Sequence, residues 1–138
     1  MAVDAESYPM RFKGFMLDAI ENGTKTVTRR LVRTDKCPYA VGRIYSATNR
    51  PRWTASGTKS NAKGGWKAIP IKIVSIRREF LYMTEDEAKM EGFSEQPGIT
   101  AKDKFYMVWG AIHGVVGFEK DWPDVWRIEF KRVPESWS

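Results

Sequence analysis

Short extended segments separated by local helices predict an α+β chain. The expected form is a compact mixed β-barrel of about five or six short strands with peripheral helices on its rim. Three observations carry this expectation. Ile69, Ile71 and Ile73 recur at every second position, the clearest strand pattern in the chain. Trp126, Ile128 and Phe130 alternate with Arg127, Glu129 and Lys131, which predicts a closing strand with one wet face. Capped helical segments lie between and before these strands, and no repeat or domain linker interrupts them.

In chain order, residues 1–9 read as a leader ending at Pro9, and 10–138 as a single domain. Met10 to Phe12 begins a strand. Phe15, Leu17, Ala19 and Ile20 predict a helix that Asn22-Gly23 stops, because glycine adopts the left-handed cap without a Cβ penalty. Thr26-Val27-Thr28 then favours extended backbone. In a regular strand Lys25 and Thr28 would face opposite ways, so joint action requires irregular backbone within 25–28 or a lysine that folds back.

Leu31 to Tyr39 is a polar loop, with Cys37 an incidental thiol. Val41 to Ala47 is a strand entered through Gly42. Residues 48–67 form a basic loop insertion that holds Arg50, Arg52, Trp53, Lys63 and Trp66. Cations interleaved with indoles suit nucleic acid, since cations hold phosphates and rings stack on bases; a solvated loop with one tryptophan tucked onto the barrel is the alternative. Pro70 cannot donate to a ladder, which places it at an edge or a strand start. Arg77 to Leu81 leads out of the sheet.

Thr84-Glu85-Asp86-Glu87 is a capping box, and Gly92 stops the short helix it opens. Glu91 breaks local rules, because it opposes the helix dipole and repels Glu87 four residues earlier. That marks it as a functional candidate, unless Lys89 or a distant arginine is its partner. Thr100 caps a third helix, on which Phe105, Val108, Trp109 and Ile112 make one buried stripe. His113 in its last turn reads as a dipole-satisfying residue.

The chain has 138 residues, 42% apolar, enough for one core. Six Trp, seven Phe and five Tyr exceed the needs of such a core, so some rings should line a surface or cleft. A formal charge of +6 favours an anionic partner, nucleic acid first. One cysteine excludes an internal disulfide, and one histidine argues against a metal site. Neither a metal nor a cofactor is expected. No apolar run is long enough to span a membrane, and a cytoplasmic setting is expected.

Gly23-x-Lys25-x-x-x-x-Arg30 resembles the signature of the ASCH family, a branch of the PUA-like RNA-associated barrels. Val41-Gly42-x-x-Tyr45 and Met83-Thr84-x-x-x-Ala88-x-x-Glu91-Gly92-Phe93 follow in the family's order, as do the aromatic helix with Trp109 and the closing strand. The resemblance covers roughly residues 10–132. It implies a PUA-like barrel and an RNA or modified-nucleoside partner. Some small members resemble amidohydrolases that deacetylate N4-acetylcytidine. Their residues fall on Lys25, Thr28 and Glu91, which implies a Thr28 nucleophile, a Lys25 activator, and a Glu91 that orients the lysine or handles a proton. Arg29 and Arg30 would lower the lysine pKa or meet substrate. Arg29 departs from the aliphatic residue of those hydrolases. Other relatives resemble RNA-binding modules or ribonucleases, and both alternatives stay open.

Overall fold

The computed structural model describes residues 8–50, 67–114 and 123–134. Most of the leader and the basic loop lie outside the described residues, and with them Arg52, Trp53, Lys63 and Trp66. The elements run β1 (Pro9–Arg11), α1 (Gly14–Glu21), β2 (Val27–Leu31), β3 (Ile44–Thr48), β4 (Ala68–Phe80), α2 (Glu85–Met90), α3 (Ala101–His113) and β5 (Asp124–Arg132). No helix among the described residues is long and apolar enough to cross a membrane.

The strands form one mixed sheet in the order β1-β3-β4-β5-β2. Only β1 and β3 pair in parallel; the other neighbours are antiparallel. The expected barrel is therefore an open sheet, since no ladder joins edge strands β1 and β2 among the described residues. One side chain spans that gap. Arg30 Nη2 on β2 donates to the Arg11 carbonyl on β1 at 2.6 Å.

β4 is longer than its isoleucines suggested. Arg77 to Phe80 do not leave the sheet but pair with Arg127 to Asp124 of β5, after a register shift between Ile73 and Ser75. Polar side chains concealed this continuation, because both faces are exposed at several of these positions. Pro70 sits near the start of this central strand, opposite Ser46. Ser46 donates its N–H away from β4, to the Tyr8 carbonyl. The proline's missing N–H therefore faces β5, whose ladder with β4 begins only at Ile71.

Side-chain alternation splits the core between two faces. On one, α1 buries Leu17 and Ile20 against Ile69, Ile71 and Ile73 of β4 and Trp126, Ile128 and Phe130 of β5. On the other, α2 and α3 pack Ala88, Phe105 and Trp109 against Leu81, Met83 and Val125. Glu85 fastens the two helices, its carboxylate accepting from the N–H groups of Ala101 and Lys102, each at 2.9 Å. The face of β5 expected to be wet is partly covered: Arg127 is buried. The α3 stripe is likewise buried only in part, with Phe105 and Trp109 inside and Ile112 46% exposed.

Ile20→Ala removes a fully buried contact of α1 and should cost about 2–5 kcal/mol by chemical denaturation. Phe15→Ala, on the exposed face of the same helix, should stay within about 0.5 kcal/mol.

Candidate functional site

Two helix ends meet at the site, and both close in the same way. At the end of α1, Thr24 N–H bonds the Ala19 carbonyl and Gly23 N–H that of Ile20. At the end of α2, Phe93 N–H bonds the Ala88 carbonyl and Gly92 N–H that of Lys89. These are Schellman closures with glycine at positive φ, 86° at Gly23 and 103° at Gly92. The exits lie side by side. Lys25 and Glu91 form an antiparallel bridge, and Thr26 N–H bonds the Met90 carbonyl at 2.8 Å. The approach is so close that a Cβ on Gly92 would stand 3.0 Å from the Cβ atoms of both Ala19 and Lys25.

The expected irregularity is present. Lys25 pairs with Glu91, whereas Val27 to Leu31 pair with β5. The lysine also folds back along its own chain. Its Nζ donates to the Val27 carbonyl at 2.8 Å, the Glu91 carbonyl at 3.0 Å and Glu91 Oε1 at 3.0 Å. An ammonium has three protons, so all are used. Burial pulls the Lys25 pKa below the usual lysine value; Glu91 opposes this, and Arg30 and Arg29 add to it.

Arg29 lies on the opposite face of β2 from Thr28 and Arg30. Its guanidinium meets Glu91 Oε2 at 2.8 Å, Glu87 Oε1 at 2.5 Å and Glu79 Oε1 at 3.1 Å. Burial lowers its pKa, but the surrounding carboxylates outweigh that and raise it. Glu87 also takes Arg127 Nε at 2.6 Å. Only half of the expected capping box forms, because Thr84 Oγ1 accepts from Glu87 N–H while the Glu87 carboxylate turns to the two arginines. Lys25, Arg29 and Arg127 thus balance Glu91, Glu87 and Glu79.

A cleft of about 760 Å³ opens in front of this network. Thr28, Arg29, Arg30, Arg50 and Glu91 line it, while Lys25 stands behind the wall. Arg30 stacks over Phe12 at 4.7 Å and lies 6.0 Å from the Tyr39 ring. Arg50 accepts at its carbonyl from Arg11 Nε at 3.0 Å. The aromatic wall is α3, where Phe105 and Trp109 stack at 5.8 Å and His113 lies 4.1 Å from Trp109. Burial, helped by Arg33 and Arg30, pushes the His113 pKa down. Trp109 Nε1 and Arg29 Nε are buried without a hydrogen-bond partner. Among the described residues, no His, Cys, Asp and Glu side chains group to hold a metal.

Sequence reasoning did not anticipate Glu87, Glu79 or Arg127. The repulsion that singled out Glu91 implicates Glu87 equally, and that signal was available. Arg127 carried none, since it sits at a position of alternation that ordinarily faces water.

No family model and no curated protein matches the sequence. The fold does match solved structures. An ASCH domain from Lactobacillus crispatus JV V101 superposes with TM-score 0.55 at 18% identity, over 86% of this chain and 70% of that one. The hypothetical protein PH0355 superposes with TM-score 0.54 at 18% identity, over 91% and 98%. The chain has the fold of an ASCH domain.

Gly92→Ala combines strained backbone with steric overlap on Lys25 and should cost about 2–4 kcal/mol. Gly98→Ala, at φ 85° with open space around it, should cost about 1 kcal/mol. Denaturation of the two variants checks the difference. Hydrogen bonds from Arg127, then those from Arg29, hold Glu87 at about 2 instead of 4.5. A depressed carboxylate stabilises the fold above its unfolded value, and that contribution drains away as pH falls from 4.5 towards about 2. Glu87→Gln should lower stability at neutral pH and flatten this part of the acid-unfolding curve.

Proposed function

We propose that the protein is an amidohydrolase that removes the acyl group from an N4-acetylcytidine-type base. The observation supporting this reading is the buried Lys25–Glu91 contact at 3.0 Å, set behind a cleft wall that carries Thr28. A threonine hydroxyl is a weak nucleophile until a base takes its proton, and burial favours the neutral lysine that such a base must be. In the proposed reaction Thr28 Oγ1 attacks the acyl carbon and its proton passes to Lys25 Nζ. A cation on the wall steadies the oxyanion, and the lysine proton leaves with the cytidine amine. Water then cleaves the acyl-threonine ester. Glu91 orients the lysine.

A second reading has its own observation. All three Lys25 protons are engaged and Arg29 occupies the other Glu91 oxygen. The same pair therefore suits a brace behind a cleft that only binds RNA or a modified base.

Incubation with N4-acetylcytidine separates the two readings. Hydrolysis predicts release of cytidine, at least about a hundredfold less with Thr28→Val. The rate should rise with pH as Lys25 loses its proton, in a range below that of an ordinary lysine. Absence of turnover in the wild type removes the hydrolase and leaves the binder, whereas full turnover in the variant removes Thr28 as the nucleophile.

A further inference from the structure

We infer that the cleft takes a phosphorylated nucleoside, with its base against α3 and its phosphate against the cations of the facing wall. The inference rests on the cleft being the working site, as proposed above, and adds the chemical class of its ligand.

The two walls differ in chemistry. One is apolar, with Val108, Ile112 and His113 beside the largely buried Phe105 and Trp109, a surface against which a planar base can pack. The other carries Lys13, Arg33 and Lys36, all exposed, and none of them makes an ion pair with an acid of the described residues. Arg11 and Arg30 add two charges that form no ion pair with an acid of the described residues, since the hydrogen bonds they donate go to backbone carbonyls. Glu91 is the one carboxylate among the described lining residues, and Lys25 and Arg29 already neutralise it. Lys13 stands at the N-cap of α1, whose first turn holds no acid.

A concave site with low-dielectric walls concentrates such a field. A neutral nucleoside leaves it unmatched, whereas a phosphate monoester or a phosphodiester meets it with charge-assisted hydrogen bonds. The volume of about 760 Å³ lies within the usual range of small-molecule sites, about 300–1,000 Å³. The phosphate can come from a free nucleotide or from an RNA strand.

Calorimetric titration of the whole chain tests this. The probes are cytidine, cytidine 5′-monophosphate and a short cytidine oligoribonucleotide. The monophosphate should bind about tenfold tighter than cytidine at low salt, with the margin shrinking as salt rises. A Lys13→Gln, Lys36→Gln double variant changes exposed side chains only. It should lose most of the margin while keeping its affinity for cytidine. Tighter binding of the oligoribonucleotide than of the monophosphate identifies a strand as the source; equal binding identifies the free nucleotide. Equal affinity for cytidine and its monophosphate, or a margin that survives in the double variant, overturns the inference. Binding is read without turnover, so the two proposals fail separately. Cleavage of N4-acetylcytidine without a phosphate margin sinks only the ligand class, and a margin without cleavage sinks only the hydrolase.

Discussion

The structure depends on a buried lysine that has a carboxylate to meet. Lys25 is almost fully enclosed, and an unpaired ammonium there would be intolerable. Its backbone leaves α1, its side chain ends on Glu91 at the end of α2, and its neighbours enter β2. One charge pair therefore ties both faces of the sheet together through its edge strand. Removing one partner of such a pair typically costs about 3–5 kcal/mol, because the other is left stranded. The pair specifies the position of two helix ends more than it adds net stability.

Arg29 extends this arrangement beyond a single pair. It takes the Glu91 oxygen that Lys25 does not, and it reaches two further carboxylates. The carboxylate is thus shared rather than dedicated to the lysine. Sharing weakens its hold on the lysine's proton, which suits a base, and stiffens the wall, which suits a binder. The cleft in front has the opposite electrostatic character. Behind the wall the charges cancel; in front they accumulate.

Much of the fold was legible because periodicity reports burial directly. Ile69 to Ile73, the helix around Leu17 and Ile20, and the caps at Thr84 and Thr100 all lie where the pattern placed them. Polar residues that conceal their burial were not legible. Arg127 looks like a solvated alternation partner, yet a glutamate from α2 covers it. Ile112 looks like core, yet α3 carries it out along the cleft. The meeting of Lys25 with Glu91 was visible only as a broken rule: a carboxylate at the wrong end of a helix. The commitment of Arg29 to three glutamates left no local trace, because each partner is 50 or more residues away in sequence.

The bond from Arg30 to the Arg11 carbonyl bears on how the molecule behaves among its own copies. Unpaired carbonyls on a sheet margin invite a foreign strand to dock and seed aggregates. Here that acceptor is already occupied, and a bulky cation stacked on Phe12 guards the approach. The same arginine that lines the cleft thus acts as a gatekeeper against intermolecular strand addition.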